Sequence, residues 1–95
     1  TDTIQKLVEY AKKQGSSHAE MLYMTYSKLA KKMTGINNRD EATVTQLNNL
    51  SLMENIILHE IDLGIMQGKH YKDIYKDCKN RLETIRDLAY LETAI

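Results

Sequence analysis

The segment TVTQLNNLSLMENIILHEIDLGIM, residues 43–66, decides the fold. Leu47, Leu50, Met53, Ile57 and Ile61 recur at spacings of three and four, the periodicity of one face of an α-helix. Ile56, Leu58, Leu63, Ile65 and Met66 widen that stripe well beyond what a surface helix needs. A helix apolar over so much of its circumference must be covered on several sides, either by other helices of its own chain or by a second chain. Thr43 and Gln46 stand at capping-box spacing and mark its start. Ser51 and Glu54 repeat that spacing inside the segment, which allows a break near residue 51. Gly64 and Gly68 are expected to fray its end, because each helical Gly costs about 1 kcal/mol against Ala.

Working outward, the chain supplies three further helices to act as cover. Asp2 with Gln5 can cap a first one carrying Ile4, Leu7, Val8 and Ala11, which ends at Gly15. Ser17-His-Ala-Glu20 is a second capping box, followed by Leu22, Tyr23, Tyr26, Leu29, Ala30 and Met33 and closed by Gly35. The polar stretch from Ile36 to Ala42 reads as a loop. A last helix places Tyr71, Ile74, Tyr75, Cys78, Leu82, Ile85 and Ala89 on one stripe, with Asp77–Arg81 and Lys79–Glu83 as candidate surface pairs. The expected architecture is therefore all-α, a compact bundle of about four helices over approximately 3–14, 18–33, 44–66 and 70–91, in one domain spanning 1–95.

Composition agrees with long helices. There are 0 Pro and 4 Gly to interrupt them, and 0 Phe and 0 Trp, so 6 Tyr, 5 Met and the aliphatics must fill the interior. At 42% apolar and 27% charged, this is a folding sequence and not a disordered tail. No apolar run reaches the roughly 20 residues that span a bilayer, so no membrane partner is expected. The single Cys78 can form no internal disulfide and fits a reducing, cytoplasmic setting.

The zero net charge conceals a strong asymmetry. Residues 1–39 hold seven basic and three acidic side chains, a net of +4, whereas residues 40–66 hold five acidic and no basic ones. The rest carries six basic and five acidic residues. This layout bears on the stretch YSKLAKKMTGINNRDEATVTQLNNL, which has the texture of a helix-turn-helix. In that reading Lys28, Lys31, Lys32 and Arg39 would meet phosphates while Gln46 and Asn49 read base edges. Against it, the linker exceeds the usual three or four residues and the supposed reading helix has no cation. The competing reading makes the lysines a solvated face.

Catalytic and metal chemistry find no footing. His18, His59 and His70 share no helical turn, and no H-x-x-x-H spacing exists. Cys78 lies on the stripe expected to be buried, unlike an activated nucleophile. Glu54, Glu60 and Asp62 are read as surface acids without a pocket, and no Gly-rich phosphate loop is present. Tyr71 and Tyr75, close to Lys69, Lys72 and Lys76, suit core packing better than base stacking. No enzyme, cofactor, metal or small-molecule substrate is expected.

Three stretches, LVEYAKKQGSSHAEMLYMTYSKLAKKMTGI, RDEATVTQLNNLSLMENIILHEI and HYKDIYKDCKNRLETI, together resemble the carboxy-terminal region of bacteriophage regulatory proteins of the antirepressor or Rha type. The resemblance spans nearly the whole chain and implies a regulatory module in a bacterial host cell that binds a repressor, itself or DNA. It transfers no catalytic residue, and it allows the chain to be a fragment of a longer regulator. The expected function is thus a non-catalytic protein-protein interaction or oligomerisation module, a homodimer foremost, with Met53, Ile57, Leu58, Ile61 and Ile65 as the candidate interface. The alternative is a DNA-binding module using the 28–50 region.

Overall fold

The computed structural model describes residues 2–36 and 38–93, with side chains other than those of Asp2, Arg39 and residues 88–93. Four helices follow one another: α1 Asp2–Lys13, α2 Leu22–Thr34, α3 Val44–Met66 and α4 Tyr71–Thr93. Short 3-10 turns, Ala19–Met21 and Arg39–Glu41, precede α2 and α3. The all-α bundle expected from the sequence is the fold observed.

The start of α3 follows the sequence signal closely. The Thr43 hydroxyl accepts from the Gln46 N–H at 3.1 Å, while Gln46 Oε1 accepts from the Thr43 N–H at 2.9 Å. The helix then runs unbroken for 23 residues, so Ser51 and Glu54 form no second start. Propagation explains this, since a helix already nucleated gains nothing by opening a turn to satisfy a second cap.

At the start of α2 the local signal fails. Ser17 and Glu20 make no cap; the Ser16 hydroxyl accepts from the His18 N–H at 3.3 Å, and Glu20 instead faces Lys12 of α1 at 3.4 Å. The chain enters through the 3-10 turn with Ala19 buried. The carboxyl end of α2 behaves as expected. Gly35 adopts φ 72°, and the N–H of the buried Ile36 reaches back to the Lys31 carbonyl at 3.0 Å, fastening the end of the helix to the core.

Helix α3 is the centre of the bundle and touches α1, α2 and α4. Its Leu50, Met53, Ile57, Ile61 and Gly64 are buried among Leu7, Ala11, Tyr26, Leu29, Ile74, Cys78 and Leu82. The sequence placed Gly64 at a frayed end, but it is helical and buried, and a Cβ there would stand 2.6 Å from Ile74 Cγ1. A missing side chain lets α4 come close to α3. The turn between those helices is tied to α1 from outside: Tyr10 Oη donates to the Lys69 carbonyl at 2.5 Å, and Gln14 Oε1 accepts from the Tyr71 N–H at 2.9 Å. The Gln14 amide thereby caps α4, whose first amides have no carbonyl of their own.

Candidate interaction surfaces

The cover for α3 comes largely from its own chain, and that reorders the candidate interface. Met53, Ile57 and Ile61 are buried in the core, so in the folded chain they present almost no surface to a partner. Leu58 and Ile65 are only partly covered. The outer face of α3 is mixed: exposed Leu52 and Met66 are spaced by Asn48, Ser51, Asn55 and His59. Wide apolar coverage in the sequence reflects a helix with neighbours on three sides.

The acids also differ from their expected placing. Glu60 is buried at 8% exposure, with its Oε1 2.9 Å from the Nε of Arg81. Asp77 pairs across the turn with Lys69 at 2.6 Å, so neither Arg81 nor Asp77 forms the i,i+4 pair anticipated on α4. That ion pair holds the Lys69 ammonium above its ordinary pKa. Asp62 lies 2.9 Å from Lys6 of α1. The Glu60–Arg81 and Lys69–Asp77 pairs line a polar cleft of about 490 Å³ that also includes Gln67, Asn80 and Thr84. Both signs are matched within its walls, leaving no net charge to attract a ligand.

A second cleft, about 260 Å³, lies where α1, α2 and α3 meet, and Ile4, Tyr23, Tyr26, Ala30, Leu50, Ile57 and Leu58 line it with Lys31 and Glu54. Tyr23, placed on the buried stripe by its spacing, is 58% exposed at this mouth. Met21 and Met24 beside it are exposed at 57% and 56%. Three large apolar side chains within four residues make the densest exposed apolar cluster among the described residues. Lys31 and Glu54 each form no ion pair there among the described residues.

No known protein family, curated protein or solved structure matches the chain. The residues proposed for reading DNA do not converge. Gln46 Oε1 is engaged by the Thr43 cap, Asn49 is half-buried, and the Arg39 side chain lies outside the described residues. At about 100° per residue, Lys31 shares the flank of α2 with Tyr23 and Ser27 that faces the cleft, whereas Lys28 and Lys32 emerge on the other flank.

Two buried groups, the Cys78 thiol and the Tyr26 phenol, are held in their protonated forms. Cys78 is fully buried, and burial, with the nearby Glu60 carboxylate, pushes its thiol up to about 12. Tyr26 stacks edge-on against Tyr75, ring centroids 5.5 Å apart, and its buried hydroxyl, beside the Cys78 thiol, meets no hydrogen-bond partner of good geometry among the described residues. Burial, then Cys78, then Tyr75 hold that phenol above its ordinary value. Among the described residues no three His, Cys, Asp or Glu side chains are grouped to hold a metal ion, and no helix is long and apolar enough to cross a membrane.

Proposed function

We propose that the chain is a non-catalytic, self-associating helical module of a transcriptional regulator of the phage antirepressor type, pairing with a second copy through the α1–α2–α3 cleft. The exposed Met21, Tyr23 and Met24 beside that apolar cleft carry the reading. A two-fold contact uses the same patch on both protomers, so Tyr23 of each copy meets the cleft of the other. The rim supports this choice of partner. Lys31 and Glu54 line one mouth without an ion pair among the described residues, and across a two-fold axis Lys31 of one copy faces Glu54 of the other. A stable dimer buries about 600 Å² or more per partner, close to a tenth of the 6547 Å² accessible here. The regulatory setting rests on the three stretches that resemble phage antirepressors, and the bacterial cytoplasm follows from that resemblance.

Sedimentation equilibrium tests the reading directly. The wild-type chain should be dimeric at tens of micromolar. Tyr23→Glu, at an exposed position, should give a folded monomer by circular dichroism. Lys31→Glu should weaken association about tenfold, and Lys31→Glu with Glu54→Lys should restore it. A monomeric wild type at several hundred micromolar, or a dimer indifferent to Tyr23→Glu, refutes the proposal.

A further inference from the structure

The lysines that do not face the cleft gather on another side of the bundle. On α4, Lys72, Lys76 and Lys79 are exposed and fall within about 60° of one another around the helix. Tyr75 and Arg86 border the same arc, and both touch α2: Tyr75 through the Tyr26 ring, Arg86 through Nη1 at 3.7 Å from Met33 Sδ. This edge of α4 therefore abuts α2. On α2, exposed Lys32 and Lys28 lie about 100° and about 140° around the helix from Met33, on the outward side beyond the contact with α4. The Tyr26–Tyr75 and Met33–Arg86 contacts also order the two helices in parallel. Lys28 and Lys32 thus lie alongside the stretch of α4 that follows Lys76.

Five lysines from two helices distant in sequence form one strip. From Lys72 to the level of Lys32 it covers about a dozen residues of α4, or roughly 18 Å at 1.5 Å per residue. None of the five forms an ion pair among the described residues. Of the lysines off the strip, Lys6, Lys12 and Lys69 are paired with carboxylates, whereas Lys13 and Lys31 form no ion pair among the described residues. Glu83 lies within the arc, and Arg86 at its end is matched by Asp87 at 3.3 Å.

We propose that this α2–α4 strip binds the phosphate backbone of duplex nucleic acid without reading its sequence. The occupant is a polyanion because the surface offers unmatched ammonium groups and no apolar anchor, Tyr75 being engaged beneath it. A duplex is favoured over an acidic peptide by the shape of the strip, a straight band whose length corresponds to about five base steps at 3.4 Å per phosphate on one strand. The residues differ from a helix-turn-helix reader, since Gln46, Asn49 and Lys31 take no part.

Fluorescence anisotropy with a labelled random-sequence 20-bp duplex tests the proposal. Five phosphate contacts predict a log–log salt slope of about −4.5, a loss of about 500-fold in affinity between 50 and 200 mM salt. Lys28→Gln with Lys32→Gln should reduce the slope by about 2, and Lys72→Glu with Lys79→Glu should abolish binding at 50 mM. Lys13→Glu, on α1 and off the strip, should change affinity less than twofold. The Tyr23→Glu chain should retain the same salt slope, which separates this inference from the dimer. Absence of binding at 20 mM salt overturns it, as does equal sensitivity to Lys13→Glu. Poly-glutamate binding as tightly as the duplex at matched charge would assign the strip to an acidic protein instead.

Discussion

Cys78 illustrates how far a side chain's chemistry is set by what surrounds it. Its thiol is moved from an ordinary 9.0 to about 12 because burial disfavours the thiolate and Glu60 opposes a second negative charge. The unfolded chain then releases this proton first as pH rises, so alkali favours the unfolded state. Stability should be level up to about pH 8.5 and then fall by up to about 1.4 kcal/mol per pH unit. Tyr26, also raised, adds to the slope only above its ordinary 10.0. Urea melts at pH 7.5, 9.5 and 10.5 should show this decline, and Cys78→Ala should remove the part that begins near pH 9. An unchanged slope in that variant would mean the thiol is not held this way. The same pocket yields a second expectation. Tyr26→Phe deletes a hydroxyl that is buried without a hydrogen-bond partner among the described residues, and should leave stability equal or raise it by about 1 kcal/mol. A loss of more than that in the same melts would reveal a partner for the hydroxyl.

At the scale of helices, the sequence specified where apolar stripes and strong caps lie, but not which neighbour each stripe meets. The Thr43–Gln46 box and the Gly35 terminus were legible because each is a contract between residues three or five apart. The Ser17–Glu20 box has the same spacing and does not form, because Glu20 is drawn to Lys12 on another helix. Glu60 looked like surface because its partner, Arg81, stands on a different helix. Likewise Lys72, Lys76 and Lys79 had the spacing of one face, but only α2 packing beside α4 adds Lys28 and Lys32 to it. Gly64 is the sharpest case. By propensity Ala should gain about 1 kcal/mol there, yet its Cβ would stand 2.6 Å from the root of the Ile74 side chain. Overpacking costs about 1–3 kcal/mol, so Gly64→Ala should destabilise despite its better propensity. In an Ile74→Ala background the clash is absent, and the same substitution should become neutral or stabilising. A thermal-melt double-mutant cycle with no coupling would show that α3 and α4 do not press together at this point.

Across the whole molecule, closure depends on a few long-range ties as well as on the core. A chain of 95 residues hides only about 60–65% of its unfolded surface, which leaves a thin margin. Helix α1 packs on α3, and its carboxyl end also holds the turn into α4 through Tyr10 on the Lys69 carbonyl and Gln14 on the Tyr71 N–H. These bonds join residues 57 and 59 positions apart, and they satisfy backbone groups that the turn cannot satisfy itself. Gln14→Ala should therefore cost about 1 kcal/mol, within the range for a lost cap. Its effect should appear at a distance from residue 14. Hydrogen exchange in the first turn of α4 should quicken by about fivefold, the factor that roughly 1 kcal/mol implies, while exchange in the middle of α3 changes only with global stability. If α4 amides were untouched and the loss spread evenly, Gln14 would be a packing residue and not the tie that closes the bundle.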